Sequence, residues 1–165
     1  MKILVLSDSH SGISFMRRAV HAVKPQAIVH LGDHFDDGET VAQEFPHIRV
    51  HQVPGNCDAW RMMRYEPPVK CYDVCGVRLF MTHGHEQGVK QTLARLLKDA
   101  RAMGAKAALY GHTHLADCHR EEDGLWVLNP GACGSTGGSV GLMETEKGEI
   151  ISARILKNPD LEEML

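Results

Sequence analysis

Five short, strand-like runs, each followed by a residue able to bind a metal, constrain this chain more than any other feature. The clearest is Ala27-Ile28-Val29-His30-Leu31, which halts at Gly32-Asp33-His34. A run this short, rich in branched residues and closed by a turn former, reads as a buried strand that delivers Asp33 to the edge of a sheet. Residues 2–7 give the same pattern and end in Ser7-Asp8-Ser9-His10, while 48–53 lead into Pro54-Gly55-Asn56-Cys57-Asp58. Between them, Ile13, Met16, Ala19, Val20 and Val23 recur at helical spacing, with Ser14 as a cap candidate and Pro25 as the stop. Residues 36–45, acidic and then apolar, predict a second short helix. The amino-terminal third is therefore βαβαβ.

The remainder is more varied. Residues 59–70 are irregular, with Pro67-Pro68 excluding helix, and strands at 70–75 and 77–82 are joined at Gly76 as a hairpin that ends in Thr82-His83-Gly84-His85. Val89, Leu93, Leu96, Leu97, Ala100 and Met103 share one face of what reads as the clearest helix, 89–103, stopped by Gly104. A strand over 107–110 meets Gly111-His112-Thr113-His114. Runs between 117 and 156, separated by Gly-rich turns, predict a second, mainly antiparallel sheet, and the polar tail from Asn158 is expected to fray.

A chain of 165 residues is expected to form one domain, 1–165, with a substantial core. No apolar run approaches the ~20 residues of a membrane span. The short apolar start followed by Asp8 is too brief for a signal peptide, and five cysteines, an odd number, argue for reduced thiols, so a cytoplasmic protein is expected. A net charge of −3, with no basic cluster longer than Arg17-Arg18, argues against long nucleic acid as a partner. A small anionic substrate would need some attraction other than the net charge.

The residues that end the strands supply one. Asp8, His10, Asp33, Asn56, His83, His112 and His114 all follow strand-like runs. In α/β sheets ligands bind beyond the carboxyl ends of the strands, so these seven side chains are expected to converge on one crevice. Imidazoles, carboxylates and an amide form a mixed N/O set suited to Mn, Fe, Ni or Zn. Seven ligands exceed the needs of one ion; shared through a bridging carboxylate, with Asp33 the candidate, they suit two ions ~3.5–4 Å apart.

These blocks resemble the calcineurin-like metallophosphoesterase superfamily: Asp8-Ser9-His10, Gly32-Asp33-His34 with Asp37 downstream, Gly55-Asn56-Cys57-Asp58, His83, and Gly111-His112-Thr113-His114, in that order across residues 1–132. More narrowly, the chain is similar to the small single-domain prokaryotic phosphodiesterases of that group. The resemblance implies an α/β fold, a four-layer αββα sandwich of two mixed sheets flanked by helices. It implies one divalent ion held by Asp8, His10, Asp33 and His114 and another by Asp33, Asn56, His83 and His112, with Mn the expected ion and Ni, Fe or Zn the alternatives. The implied reaction is hydrolysis of small phosphodiesters through in-line attack by a hydroxide that bridges the metals.

One position departs from the commoner family pattern. The residue after the metal-binding Asn, usually a histidine that protonates the leaving oxygen, is Cys57, an arrangement shared by the small phosphodiesterases. A thiol is a poor general acid beside two cations. The expected preference is for good leaving groups, or for diesters whose leaving group is protonated by another residue, His85 being the candidate. Asp58 is read either as a carboxylate that orients an imidazole or as a turn cap. Arg61 and Arg64 are candidate phosphate contacts, and the loop from Asn129 a source of backbone amides or simply a turn. Two other functions compete: a phosphomonoesterase, and a noncatalytic metal-binding scaffold, since the superfamily includes a noncatalytic trafficking subunit. All seven ligand positions hold competent residues, which favours the enzyme; Cys57 favours the scaffold. Pairing into a homo-oligomer through a sheet edge is left open, as is the substrate itself.

Overall fold

The structure is a computed structural model that describes residues 1–58, 66–134 and 137–165. The first sheet begins with three parallel strands, β1 (Lys2–Leu6), β2 (Ala27–His30) and β3 (Arg49–Gln52), linked by the helices α1 (Ile13–Val23) and α2 (Phe35–Glu44). The second is built on the hairpin β4 (Val69–Val74) and β5 (Val77–Thr82), followed by α3 (Ala94–Ala102) and the strands β6 (Ala107–Leu109), β7 (Asp117–Arg120) and β8 (Trp126–Asn129). The chain then returns to the first sheet as β9 (Ser139–Glu146) and β10 (Glu149–Lys157) and closes with α4 (Asn158–Glu163). Strand orders are β10-β9-β1-β2-β3 and β4-β5-β6-β8-β7: in the first sheet the parallel strands β1, β2 and β3 form one side and the antiparallel β9 and β10 the other, whereas in the second the parallel β5, β6 and β8 are flanked by antiparallel β4 and β7.

Alternation along β1 explains the layering. Ile3 and Val5 point between the sheets, where they meet Val29, Leu79, Leu109, Leu128 and Met143. Leu4 and Leu6 point outward beneath Met16 and Val20 of α1, Val41 of α2 and Leu161 of α4. On the far face of the second sheet, Phe80, Ala108 and Val127 carry Leu96 and Ala100 of α3. Three apolar layers separate four layers of secondary structure, the expected αββα sandwich. Strands buried on both faces read as unbroken apolar runs, as β1 and β2 do.

The structure corrects four expectations. The helix expected over 89–103 is confined to Ala94–Ala102, because Gly84 and Gly88 take φ of +101° and +67° and the Gln91 and Thr92 amides turn back onto the Gly88 carbonyl. Val89 and Leu93 still pack beneath α3, so the apolar period survives although the helix does not. Residues 117–156 divide between the sheets: β7 and β8 extend the second, whereas β9 lies against β1, with Ile3 opposite Met143. Burial of β9 on both faces requires that central place, and at Gly141 a Cβ would stand 2.7 Å from Leu128 Cδ2. The tail is ordered as α4, held by buried Leu161 and by the Asp160 carboxylate, which accepts the Lys157 N–H at 2.6 Å. Finally, Ser14 lies within α1 and caps nothing; the cap position is Gly12. The hairpin forms as expected, with Cys75 and Gly76 both at positive φ, the backbone a tight two-residue turn needs. Among the described residues no helix is long and apolar enough to cross a membrane.

Candidate metal centre

The strands release their chemistry at one end of both sheets. Asp8 and His10 follow β1, Asp33 follows β2, Asn56 opens a short 3-10 turn (Asn56–Asp58) after β3, His83 follows β5, and His112 and His114 follow β6. Asp8, His10, Asp33, His112 and His114 all have positive φ, between 41° and 67°. Left-handed backbone is disfavoured for residues with a Cβ, and such residues persist where the surroundings over-determine them, which is the usual condition of a functional site.

Donor atoms of Asp8, His10, Asp33 and His114 all lie within 4.8 Å of one another. An ion with bonds of about 2.0–2.2 Å spans such a set with little movement. Asp8 is fully buried, and its Oδ2 accepts from Ser7 Oγ (2.6 Å) and from the His112 N–H (3.1 Å). Its Oδ1 stands 3.1 Å from His114 Nε2, yet among the described residues it has no hydrogen bond. Two ligand atoms that face a common point rather than each other fit a cation placed between them.

On the other side of Asp33, His83 Nε2 lies 3.5 Å from Asp33 Oδ1 and 3.1 Å from Asn56 Oδ1. His83 Nδ1 sits 2.7 Å from the Leu31 carbonyl, which fixes the N–H on Nδ1 and leaves Nε2 with a lone pair for a ligand. The His112 ring lies 5.0 Å from that of His83. Asp33 thus borders both groups. Burial works to raise its carboxyl, but His83, the Cys57 N–H and thiol, and His10 outweigh it and hold Asp33 below the usual carboxylate range. Burial, reinforced by His83 and Lys90, pushes His112 down and keeps its imidazole available as a neutral ligand.

Surrounding residues brace the loops. Asp58 accepts the N–H groups of Phe35 (3.0 Å) and Gly55 (2.9 Å), tying the loop after β2 to the loop after β3. Asp37 accepts from Ser9 Oγ (2.7 Å) and the Ser11 N–H (2.8 Å). His30, expected in the core, is indeed fully buried, and its Nε2 meets Ser9 Oγ at 3.1 Å. Sequence reasoning passed over Ser7 and Ser9, whose signal was polar residues placed directly after a buried strand. Cys57 is exposed and donates its N–H to Asp33 Oδ1 (2.9 Å); burial and the Asp33 carboxylate push its thiol up, so it stays protonated near neutral pH. The His85 ring lies 5.6 Å from that of His83, and burial with His83 pushes its imidazole down towards the neutral form. In the loop from Asn129, the Gly131 and Cys133 amides are engaged by Asn129 Oδ1 and the Ser7 carbonyl, so they serve the fold. Arg61 and Arg64 lie outside the described residues.

The sequence as a whole also matches a known family. Residues 1–148 match the sequence model of the calcineurin-like phosphoesterase superfamily domain. The chain belongs to that superfamily. A probable metallophosphoesterase of Bacillus subtilis, YsnB, is 32% identical over 134 residues, covering 80% of this chain and 75% of the relative. Among solved structures, a predicted phosphoesterase from Streptococcus pneumoniae superimposes with a TM-score of 0.69 at 23% identity, covering 95% of this chain and 97% of that one. Vps29 of Chaetomium thermophilum gives 0.73 at 16% identity, with 95% of each chain covered. At such identities the two structural likenesses concern the fold alone; the family rests on the sequence match.

Proposed function

We propose that this superfamily member is a phosphodiesterase that hydrolyses small phosphodiesters with two divalent metal ions, manganese in the first instance. The observation that carries the reading is the meeting of Asp8, His10, Asp33 and His114 around an unbonded Asp8 oxygen, with His83 and Asn56 gathered on the other side of Asp33. Asp8, His10, Asp33 and His114 would hold one ion and Asp33, Asn56, His83 and His112 the other. Metal ions so held activate water as a nucleophile and neutralise charge on phosphoryl oxygens, which also supplies the attraction for an anion that a net charge of −3 lacks. The protein's own part is to fix these ligands through Ser7, the Leu31 carbonyl and Asp58, so that no side chain reorganises during turnover.

The leaving group favours diesters with acidic alcohols. Two cations beside Cys57 would draw its thiol towards thiolate, and burial holds His85 towards its neutral form even in the metal-free protein, so neither group readily protonates an alkoxide at neutral pH. The test is hydrolysis of an activated aryl phosphodiester and the matching monoester by metal-stripped protein, with and without Mn²⁺, beside Asp33→Asn. The expected result is Mn²⁺-dependent cleavage of the diester ahead of the monoester, lost in Asp33→Asn. Preference for the monoester would make the protein a phosphomonoesterase. Protein shown to hold two metals, yet without turnover on either ester, would overturn catalysis in favour of a binding role.

A further inference from the structure

The loop that carries His112 and His114 rests on a residue that the chemistry above leaves unused. Asn129 ends β8 with 0% of its surface exposed. Its Nδ2 donates to the Gly111 carbonyl (3.1 Å) and to Thr113 Oγ1 (2.9 Å), and its Oδ1 accepts the Gly131 N–H (2.9 Å). The two donor bonds straddle His112. Thr113 Oγ1 also accepts the Leu115 N–H (3.2 Å), which ties the chain on both sides of His114. Gly111 passes the restraint onward, donating its N–H to the His83 carbonyl at 3.0 Å, while the next N–H, that of His112, goes to Asp8 Oδ2. A Cβ at Gly111 would stand 2.0 Å from Ser7 Oγ, so only glycine brings this loop close enough to make these contacts.

His112 and His114 belong to different halves of the centre, and both occupy left-handed backbone. Such conformations are retained only under restraint. We propose that Asn129 is a positioning residue: by holding Gly111 and Thr113 it fixes His112 and His114 relative to each other, and so sets the spacing of the two ions. The inference rests on the dinuclear reading of the site.

Asn129→Asp keeps the shape and the acceptor but removes both donors. It also buries a carboxylate, so Thr113→Val, which removes the hydroxyl acceptor at a partly exposed position, is tested beside it, with Thr113→Ser restoring the hydroxyl. The measurements are a calorimetric Mn²⁺ titration of the metal-stripped protein, checked as folded by circular dichroism, and the spin-coupled electron paramagnetic resonance signal of a manganese pair. Wild type is expected to bind two ions with a coupled signal. Asn129→Asp and Thr113→Val are expected to bind Mn²⁺ about 10- to 100-fold more weakly, as loss of an outer support to a ligand usually does, and to change or lose the coupling. Thr113→Ser should recover both. A purely structural role would lower the melting temperature and leave the coupling of the loaded protein untouched. Thr113→Val with wild-type affinity and coupling overturns the proposal, whatever becomes of Asn129→Asp. A wild-type chain that takes up one ion or none overturns the dinuclear reading, and this inference with it.

Discussion

Gly55→Ala offers a sharp test of how the centre is built. Gly55 lies in the loop after β3, packed against the loop after β2, and a Cβ there would stand 2.1 Å from Asp33 Oδ1 and 2.5 Å from the Asp33 amide nitrogen. Its neighbour leaves no room either: at Gly32, on the opposing loop, a Cβ would stand 2.4 Å from the Gly55 nitrogen. A carbon needs at least 3.0 Å, so the Asp33 carboxylate must retreat by about 1 Å, several times the ~0.2 Å tolerance of metal–ligand distances. In the proposed dinuclear centre Asp33 is the carboxylate common to both halves, so both ions should be affected. Metal affinity should fall by at least ~100-fold, the upper end of what disturbed ligand supports cause. The fold should survive with a loss of about 1–3 kcal/mol, the usual cost of overpacking. Calorimetric Mn²⁺ titration reads the first effect and urea unfolding of the metal-free protein the second. Gly104→Ala is the control: it takes on left-handed strain at φ +67°, which Gly55 does not have, but its Cβ meets nothing within 4 Å, so it should bind metal normally. Wild-type metal affinity in Gly55→Ala would refute the close-approach argument.

Three further outcomes are expected. Burial pushes His30 down to about 4 against the pull of Asp37, Asp58 and Asp8, so the unfolded chain binds a proton that the folded chain refuses; stability of the metal-free protein is full above about pH 6.5 and falls by about 3 kcal/mol as pH drops to 4. Urea unfolding across that range should show the decline, and His30→Gln should flatten it. Phe80→Ala empties the layer between β5 and α3 and should cost about 3–5 kcal/mol in the same assay, without changing the number of metal ions bound. Ser7→Ala removes the donor to Asp8 Oδ2 and should weaken Mn²⁺ binding about 10- to 100-fold by calorimetry while the fold persists.

Much of the architecture was legible because strands covered on both faces leave unbroken apolar runs, and such runs at 2–6 and 27–30 announced themselves. The blocks around Asp8, Asp33, Asn56, His83 and His112-Thr113-His114 were legible for a related reason: each stands just after a strand-like run. What escaped was longer in range. The pairing of β9 with β1 depends on Gly141 meeting Leu128 and Val5 across the core, and no local pattern near residue 141 encodes that partner. The helix expected from residue 89 shows the opposite failure, a true apolar period beneath a backbone that Gly88 turns aside. Asp58 was ambiguous in the sequence because a carboxylate in a turn has several uses; only its two N–H partners, 23 and 3 residues away, reveal a clamp between loops.

The provenance of the proposed ligands has a mechanical consequence. Asp8, His10, Asp33 and Asn56 come from the first sheet, whereas His83, His112 and His114 come from the second. Bound ions would therefore rivet the two sheets at one end of their seam, and the spacing they experience is gauged by the thickness of the apolar stratum formed by Ile3, Val5, Leu79, Leu109 and Leu128. A close-packed interior transmits small changes of volume. Reshaping that stratum, well away from any imidazole, should retune the metals.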